Sequence, residues 1–278
     1  MGEPARIPVL GFVFLIVGGV TGSPSPAPPA RQGPAATWPD DLRFVVAEAQ
    51  KVQDADVAAW ATYRFVRESE REDYDDDGRL LEREELQFLV TPEGEGFRED
   101  LVSHNGQVPD PSDVEGHRRT GSFARHYKTL VAGAGGEAEE GGYSLGQLLH
   151  LSSYRFVGRE PLNGVDCYRL DFSPEDVRPK GGGLAAKFTK AMAGSLWITV
   201  EGFHLAAARA ETVQPVTIAL SLSKVYSLKI RMDAAPVGAG VWLPSRVEVI
   251  TSARILFRSI NRRNSFTYTE YERLAAHG

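Results

Sequence analysis

The sequence predicts an α+β protein, mainly antiparallel β. Its core is an incomplete, half-open β-barrel of about ten long strands covered by a few helices. Three observations predict this. Apolar residues alternate with polar ones, at a period of two, from Tyr63 almost to the C-terminal end. The alternating segments are joined by short turns such as Asp75-Asp76-Asp77-Gly78 and Asn163-Gly164, which connect antiparallel neighbours rather than parallel strands. Several segments approach about 15 residues, well beyond the usual five or six, and strands of that length coil into curled sheets.

The chain has 278 residues, of which 42% are hydrophobic and 24% charged. That is the composition of a globular protein, neither disordered nor fibrous. A formal net charge of −6 argues against non-specific nucleic-acid binding. A single cysteine, Cys167, rules out a disulfide framework and a cysteine-based zinc site within the chain.

The N-terminal end is organised before the fold begins. Arg6 precedes an unbroken apolar run from Val9 to Val20, followed by the small residues Thr21, Gly22 and Ser23. The run falls well short of the roughly 20 residues that span a bilayer. Residues 1–22 therefore read as a cleaved signal peptide, with cleavage near Gly22 or Ser23; the other reading is a short membrane anchor. Residues 23–37 are proline-rich with almost nothing to bury, which predicts a stiff, disordered linker. Residues 38–274 are expected to form a single domain.

Trp38-Pro39-Asp40-Asp41 starts a helix, because proline suits a first turn and aspartates complement the positive helix end. Leu42, Val45, Val46, Ala49 and Val52 recur at helical spacing, predicting one apolar stripe to about Val57. Tyr63 and Phe65 then open a meander. Asp75–Gly78 turns it, Leu86, Phe88 and Val90 alternate on the return strand, and Pro92–Gly96 leads into a third strand over Phe97–His104. Pro109–Val131 is weakly helical, Gly133–Gly142 is a glycine–glutamate loop, and Tyr143–Ser153 is a short helix or turn. Strands resume at Tyr154, and Asn163-Gly164 leads into Val165–Pro174, with Tyr168, Leu170 and Phe172 on one face. The insert Glu175–Ala193 carries Leu184, Phe188 and Met192 at i, i+4 and i+8, with Lys187 and Lys190 beside them. This predicts a short basic amphipathic helix, with hinges at Gly181-Gly182-Gly183 and Gly194. Long strands are expected over Gly194–Val200, Phe203–Val213, Ile218–Met232, Val241–Thr251 and Ile255–Arg273. In Ile218–Met232 the residues Ile218, Leu220, Leu222, Tyr226, Leu228, Ile230 and Met232 share one parity.

No catalytic residue is expected. Gly142-Tyr143-Ser144-Leu145-Gly146 matches the nucleophile-elbow spacing. That elbow needs a preceding strand and a following helix in β/α units, and a flexible loop precedes it here. His104, His117 and His126 are too widely spaced for local metal binding, and Asp75–Asp77 lacks the calcium-loop pattern, so no metal and no cofactor are expected. Cys167 is expected to be an inert, partly buried thiol, with an intermolecular disulfide as the alternative. Charge is uneven. Glu68–Glu85 holds ten acids and three bases, whereas Lys224–Arg273 holds nine bases and four acids. The two runs read either as solvated sheet faces or as an acidic edge for one partner and a basic rim for anionic headgroups.

Gly164–Pro174 (GVDCYRLDFSP), Gly194–Thr199 (GSLWIT), Val241–Ser245 (VWLPS) and Phe266–Tyr271 (FTYTEY) resemble the strand patterns of the LolA/LolB lipoprotein-carrier superfamily and of outer-membrane lipoprotein-sorting-like proteins. The resemblance spans Trp38–Leu274. It implies a half-barrel closed by helices, an interior that holds acyl chains, no catalytic residues, and a periplasmic binding or carrier role. Its partners would be a lipid or lipidated protein and an envelope membrane protein, and the protein would act as a monomer. On this reading, strand parity makes Tyr63, Phe65, Leu86, Phe88, Tyr168, Leu170, Phe172, Leu196, Ile198, Leu228 and Ile230 the lining of one concave interior. Leu184, Phe188 and Met192 would form a movable lid. The residues leave a second reading open: a non-catalytic envelope structural or interaction module whose core is filled by its own side chains.

Overall fold

A computed structural model describes residues 42–94, 96–114, 154–174, 187–188, 190–219, 223–238, 240–256 and 258–275. Helix α1 (Leu42–Trp60) comes first. It is followed by strands β1 (Tyr63–Tyr74), β2 (Leu80–Glu93), β3 (Gly96–His104), β4 (Tyr154–Leu162), β5 (Val165–Phe172), β6 (Met192–Thr199), β7 (Leu205–Thr212), β8 (Val216–Ala219), β9 (Ser223–Gly238), β10 (Val241–Ile255) and β11 (Arg258–Arg273). The strands form one antiparallel sheet in the order β3-β2-β1-β11-β10-β9-β7-β6-β5-β4, with β8 paired to β9 off this path. β3 and β4 are the two edges and do not pair with each other, so the sheet is open and not closed into a barrel.

Local chemistry accounts for the hairpins. Asn163 and Gly164 adopt φ 51° and 83°, and Asn105 and Gly106 adopt φ 50° and 75°. These are the left-handed conformations that an Asn-Gly turn takes at least cost. At Gly78, φ 81°, the β1–β2 turn is completed by Asp75, whose carboxylate accepts the backbone N–H groups of Asp77 and Arg79 at 2.9 and 2.8 Å. Gly194 serves a different need. A Cβ there would lie 2.0 Å from the Arg209 carbonyl oxygen, so only glycine lets β6 and β7 approach this closely.

The pairing of β1 with β11 joins segments about 200 residues apart, and charge directs it. Arg262 donates to Asp73 from Nε at 2.6 Å and from Nη2 at 3.1 Å. Arg263 bridges Glu72 at 3.3 Å and Glu248 at 2.8 Å, Arg231 reaches Glu248 at 3.3 Å, and Arg64 pairs with Glu272. The acidic and basic runs thus meet where residues 68–74 pair with residues 261–267, and Glu72 and Asp73 of one run are neutralised there by Arg263 and Arg262 of the other.

Other expectations are corrected. α1 continues to Trp60, three residues beyond the expected end, because Trp60 is buried against the sheet. Met192 opens β6, where it pairs with Thr212, and so does not extend the insert helix. The single strand expected over Ile218–Met232 is two strands. β8 folds back antiparallel on β9, pairing Val216 with Val225, and both are buried. That reversal puts Val225 inside and Tyr226 outside, against the parity read from the sequence. Residues 1–22, read above as a signal peptide, residues 23–37, read as a linker, Gly133–Gly142, Tyr143–Ser153 with Ser144, His117, His126, Leu184 and Gly181–Gly183 lie outside the described residues. No helix among the described residues is long and apolar enough to cross a membrane.

Candidate functional site

The concave face of the sheet is built from rows of directly paired residues, which share a face. In one wing the rows are Phe156–Leu170–Leu196–Ala208–Met232 and Tyr154–Phe172–Gly194–Ala210–Ile230. In the other they are Phe65–Val90, Phe88–Arg67–Tyr268 and Leu86–Ser69–Phe266–Val247. Two apolar clusters result, and Val247 packs against both.

All eleven residues read as lining from strand parity belong to this packing. Tyr168, Leu170, Phe172, Leu196, Ile198 and Leu228 lie in the first cluster, with Ile230 against it. Tyr63, Phe65 and Phe88 lie in the second, with Leu86 against it. Nine are buried, and Leu86 and Ile230 are half-buried. Phe188 and Met192 are each 1% exposed and also belong to the first cluster, Phe188 reaching it from the insert and Met192 from the sheet itself.

Helix α1 spans both clusters. Val45 and Ala49 pack in the first and Trp60 in the second. One polar contact fixes the helix between them. Asp56, 5% exposed, accepts the backbone N–H of Trp242 at 3.1 Å and meets His204 Nδ1 at 2.8 Å. The His204 ring stacks on Trp242 at 5.7 Å. Burial raises the Asp56 pKa above the ordinary aspartate value, against the opposing pull of its His204 and Trp242 hydrogen bonds. Phe44 packs edge-on to Phe203 at 5.7 Å, on the same β6–β7 turn that carries His204.

The β1–β2–β11 wing changes character along its length. Beyond Phe65, Phe88 and Tyr268 its concave rows become Glu84–Arg71–Asn264 and Glu82–Asp73–Arg262. Arg71 there meets Asp73, Glu82 and Glu84 at 2.9, 3.2 and 3.3 Å. His104 continues the ionic end, with Nδ1 at 2.9 Å from Asp113 and Nε2 at 3.7 Å from Glu84. At the boundary Arg67 and Glu99 form a buried pair at 2.7 Å, with the Arg67 guanidinium 4.6 Å from the centre of the Phe88 ring. Burial pushes the Tyr268 phenol up to about 12 and also raises Tyr271. The opposite face carries a polar groove of about 360 Å³ lined by Glu68, Glu70, Arg83, Glu85, Gln87 and Thr267 among others.

The arrangement holds apolar groups and offers little chemistry. Among the described residues no three His, Cys, Asp or Glu side chains gather as a metal site. Cys167 is fully buried, with Sγ 3.5 Å from the Val165 carbonyl oxygen, and burial raises its pKa, which suppresses the reactive thiolate. Asp56, His204 and the Arg67–Glu99 pair escape sequence reasoning: Asp56 lies 148 and 186 residues from its two partners, and no local pattern links them.

No family model matches the chain, and no curated protein matches it. Among solved structures the chain is similar to an outer membrane lipoprotein-sorting protein domain from Vibrio parahaemolyticus. The match has 10% identity, 86% of this chain and 95% of that one covered, and a TM-score of 0.39. It is also similar to a LolA superfamily protein from Nitrosomonas europaea, with 9% identity, 85% and 94% coverage, and a TM-score of 0.32. The lipoprotein LppX of Mycobacterium tuberculosis matches with 10% identity, 83% and 96% coverage, and a TM-score of 0.31. The first two of these are of the kind that the strand patterns resemble.

Proposed function

We propose that the protein is an exported, periplasmic binding or carrier protein for a lipid or lipidated protein, acting without a catalytic group. The observation that carries this reading is the cover on the concave face. The first cluster is roofed by Val45 and Ala49 of α1 and by Phe188 of the insert, not by a second sheet. Such a cover can lift without breaking a strand pairing. An acyl chain taking its place would gain ~0.8 kcal/mol per buried CH₂, so a sixteen-carbon chain gains on the order of 10 kcal/mol before ordering costs. Residues 1–22 act as the export signal and residues 23–37 as the spacer. Phe188, with Leu184, acts as the lid.

The near-complete burial of the concave side chains favours a second reading, an envelope interaction module whose interior its own side chains fill. One experiment separates the two. Native mass spectrometry of protein purified from its own envelope is combined with the release rate of a fluorescent fatty acid from wild type and Phe188→Ser. A carrier retains lipid mass, and Phe188→Ser releases the probe about tenfold faster, the effect of losing about 1.4 kcal/mol of contact with the bound chain. Lipid-free protein that binds no probe overturns the carrier reading and leaves the interaction module.

A further inference from the structure

The turn between β10 and β11 is filled against the chemistry of turns. Five non-glycine residues among those described have positive φ: Asn105, Asn163, Phe203, Leu256 and Glu270. The asparagines are ordinary turn residues, because a short polar side chain tolerates this conformation. Phe203 packs on Phe44, and Glu270 sits where β11 slips register against Arg64 and Val66. Leu256, at φ 56°, has no such reason to be there. It is 55% exposed, and Ile255 before it is 41% exposed. Neither the turn nor the core selects an aliphatic pair at this position.

The surroundings are cationic. Arg254 and Arg258 flank the pair, are both exposed, and form no ion pair with an acid among the described residues. β9 runs antiparallel to β10, so the start of β9 lies beside the end of β10. It brings Lys224 and the 46% exposed Tyr226, with Nζ 5.5 Å from the ring centre. Residues 216–232 and 249–269 contain no Asp or Glu. The neighbouring β1–β2 turn is acidic and is held to the start of β11, where Asn261 donates to the Asp75 carbonyl at 3.2 Å and to Asp76 Oδ1 at 3.0 Å, so one of the three aspartates spends part of its charge on a side-chain amide.

We infer that the β10–β11 tip, with the start of β9, is a contact site for an anionic bilayer surface. Ile255 and Leu256 enter the boundary between headgroups and acyl chains. Arg254, Arg258 and Lys224 meet the headgroup phosphates, and Tyr226 lies at the level of the headgroups. This goes beyond the carrier reading: a protein that holds no acyl chain still docks in this way.

The test uses the full chain and large unilamellar vesicles of phosphatidylcholine, with and without phosphatidylglycerol. Leu256→Cys is labelled with an environment-sensitive fluorophore; the buried Cys167 leaves the label specific. The label should shift to the blue and resist aqueous quencher with phosphatidylglycerol vesicles, while a label at Val102→Cys on edge strand β3 does neither. Leu256→Asn should weaken vesicle binding about tenfold while its melting temperature stays level or rises, since Asn suits a positive φ. Arg254→Gln and Arg258→Gln should each cost about fivefold and flatten the salt dependence. An unshifted label at position 256, an equal shift at position 102, or wild-type vesicle binding by Leu256→Asn overturns the inference. None of these outcomes depends on whether the protein retains a fatty acid in solution.

Discussion

Replacing Asp56 tests how α1 is held on the sheet. The carboxylate accepts a backbone N–H from Trp242 at 3.1 Å and meets His204 Nδ1 at 2.8 Å in a site 5% exposed to solvent. Asp56→Ala removes both contacts and leaves the Trp242 N–H without its acceptor. An unsatisfied buried donor costs about 1–3 kcal/mol and a hydrogen bond to a charged group contributes about 1.5–3, so a total loss of about 3 kcal/mol is expected. In a domain of this size that lowers the melting temperature by about 6–12 °C. Asp56→Asn should be much milder, at about 1 kcal/mol or less, because its amide oxygen still accepts from Trp242 and a desolvated charge is removed. The pH dependence has a definite sign. The folded-state pKa of Asp56 is raised, so the favourable protonated form is fully present below the unfolded value, and its contribution is lost as pH rises through the raised folded value. The gap between wild type and Asp56→Asn should therefore widen as pH falls through that range, because wild type gains stability there and the amide does not titrate. Thermal melts at several pH values, with hydrogen exchange at the Trp242 amide, are the assay. A melting temperature for Asp56→Ala within about 2 °C of wild type, or equal damage from Ala and Asn, would refute the reasoning.

Two further outcomes follow from burial. Gly194→Ala forces a Cβ to within 2.0 Å of the Arg209 carbonyl oxygen, so β6 and β7 must part. A loss of about 3 kcal/mol is expected in denaturant melts, whereas Gly158→Ala on β4, where nothing lies within 4 Å of the added carbon, should stay within about 1 kcal/mol. Tyr268, its phenol pushed up to about 12, contributes stability that is whole below the free-tyrosine value and lost as pH climbs toward about 12. Tyrosinate absorbance should show its ionisation coinciding with unfolding, and titration near the free value in a folded chain would contradict its burial.

What was legible in the sequence was local. Tyr168, Leu170 and Phe172 alternate within one hairpin closed by Asn163-Gly164, and the sheet uses that parity without a slip between β5 and β6. Parity failed where the chain reverses. The sequence over 218–232 keeps an apolar alternation, yet β8 and β9 are separate strands, and Val225 and Leu228, three residues apart in β9, are both buried while Tyr226 is exposed. Met192 shows the same limit, since one apolar residue satisfies both an i+4 helical spacing and the first position of a strand. The pinning of α1 by Asp56 could not be read, because its partners are distant in the chain and each is an unremarkable residue where it stands. The β1–β11 pairing did leave a trace in the two opposed charge runs, which take their meaning only when the strands are set side by side.

That pairing fixes when the protein can fold. Val66 meets Thr269, so the seam between the third and fourth strands of the sheet joins the first described strand to the last. Closing so long a loop costs about 2.5 kcal/mol more than closing a ten-residue one, and contacts of such separation form slowly. Until β11 emerges, the strand pairings leave β1, β2 and β3 as one small sheet and β4 through β10 as another, bridged by helix α1 but by no strand. A chain still lacking β11 thus lacks the seam that makes these two pieces one sheet, and no local pairing can replace it.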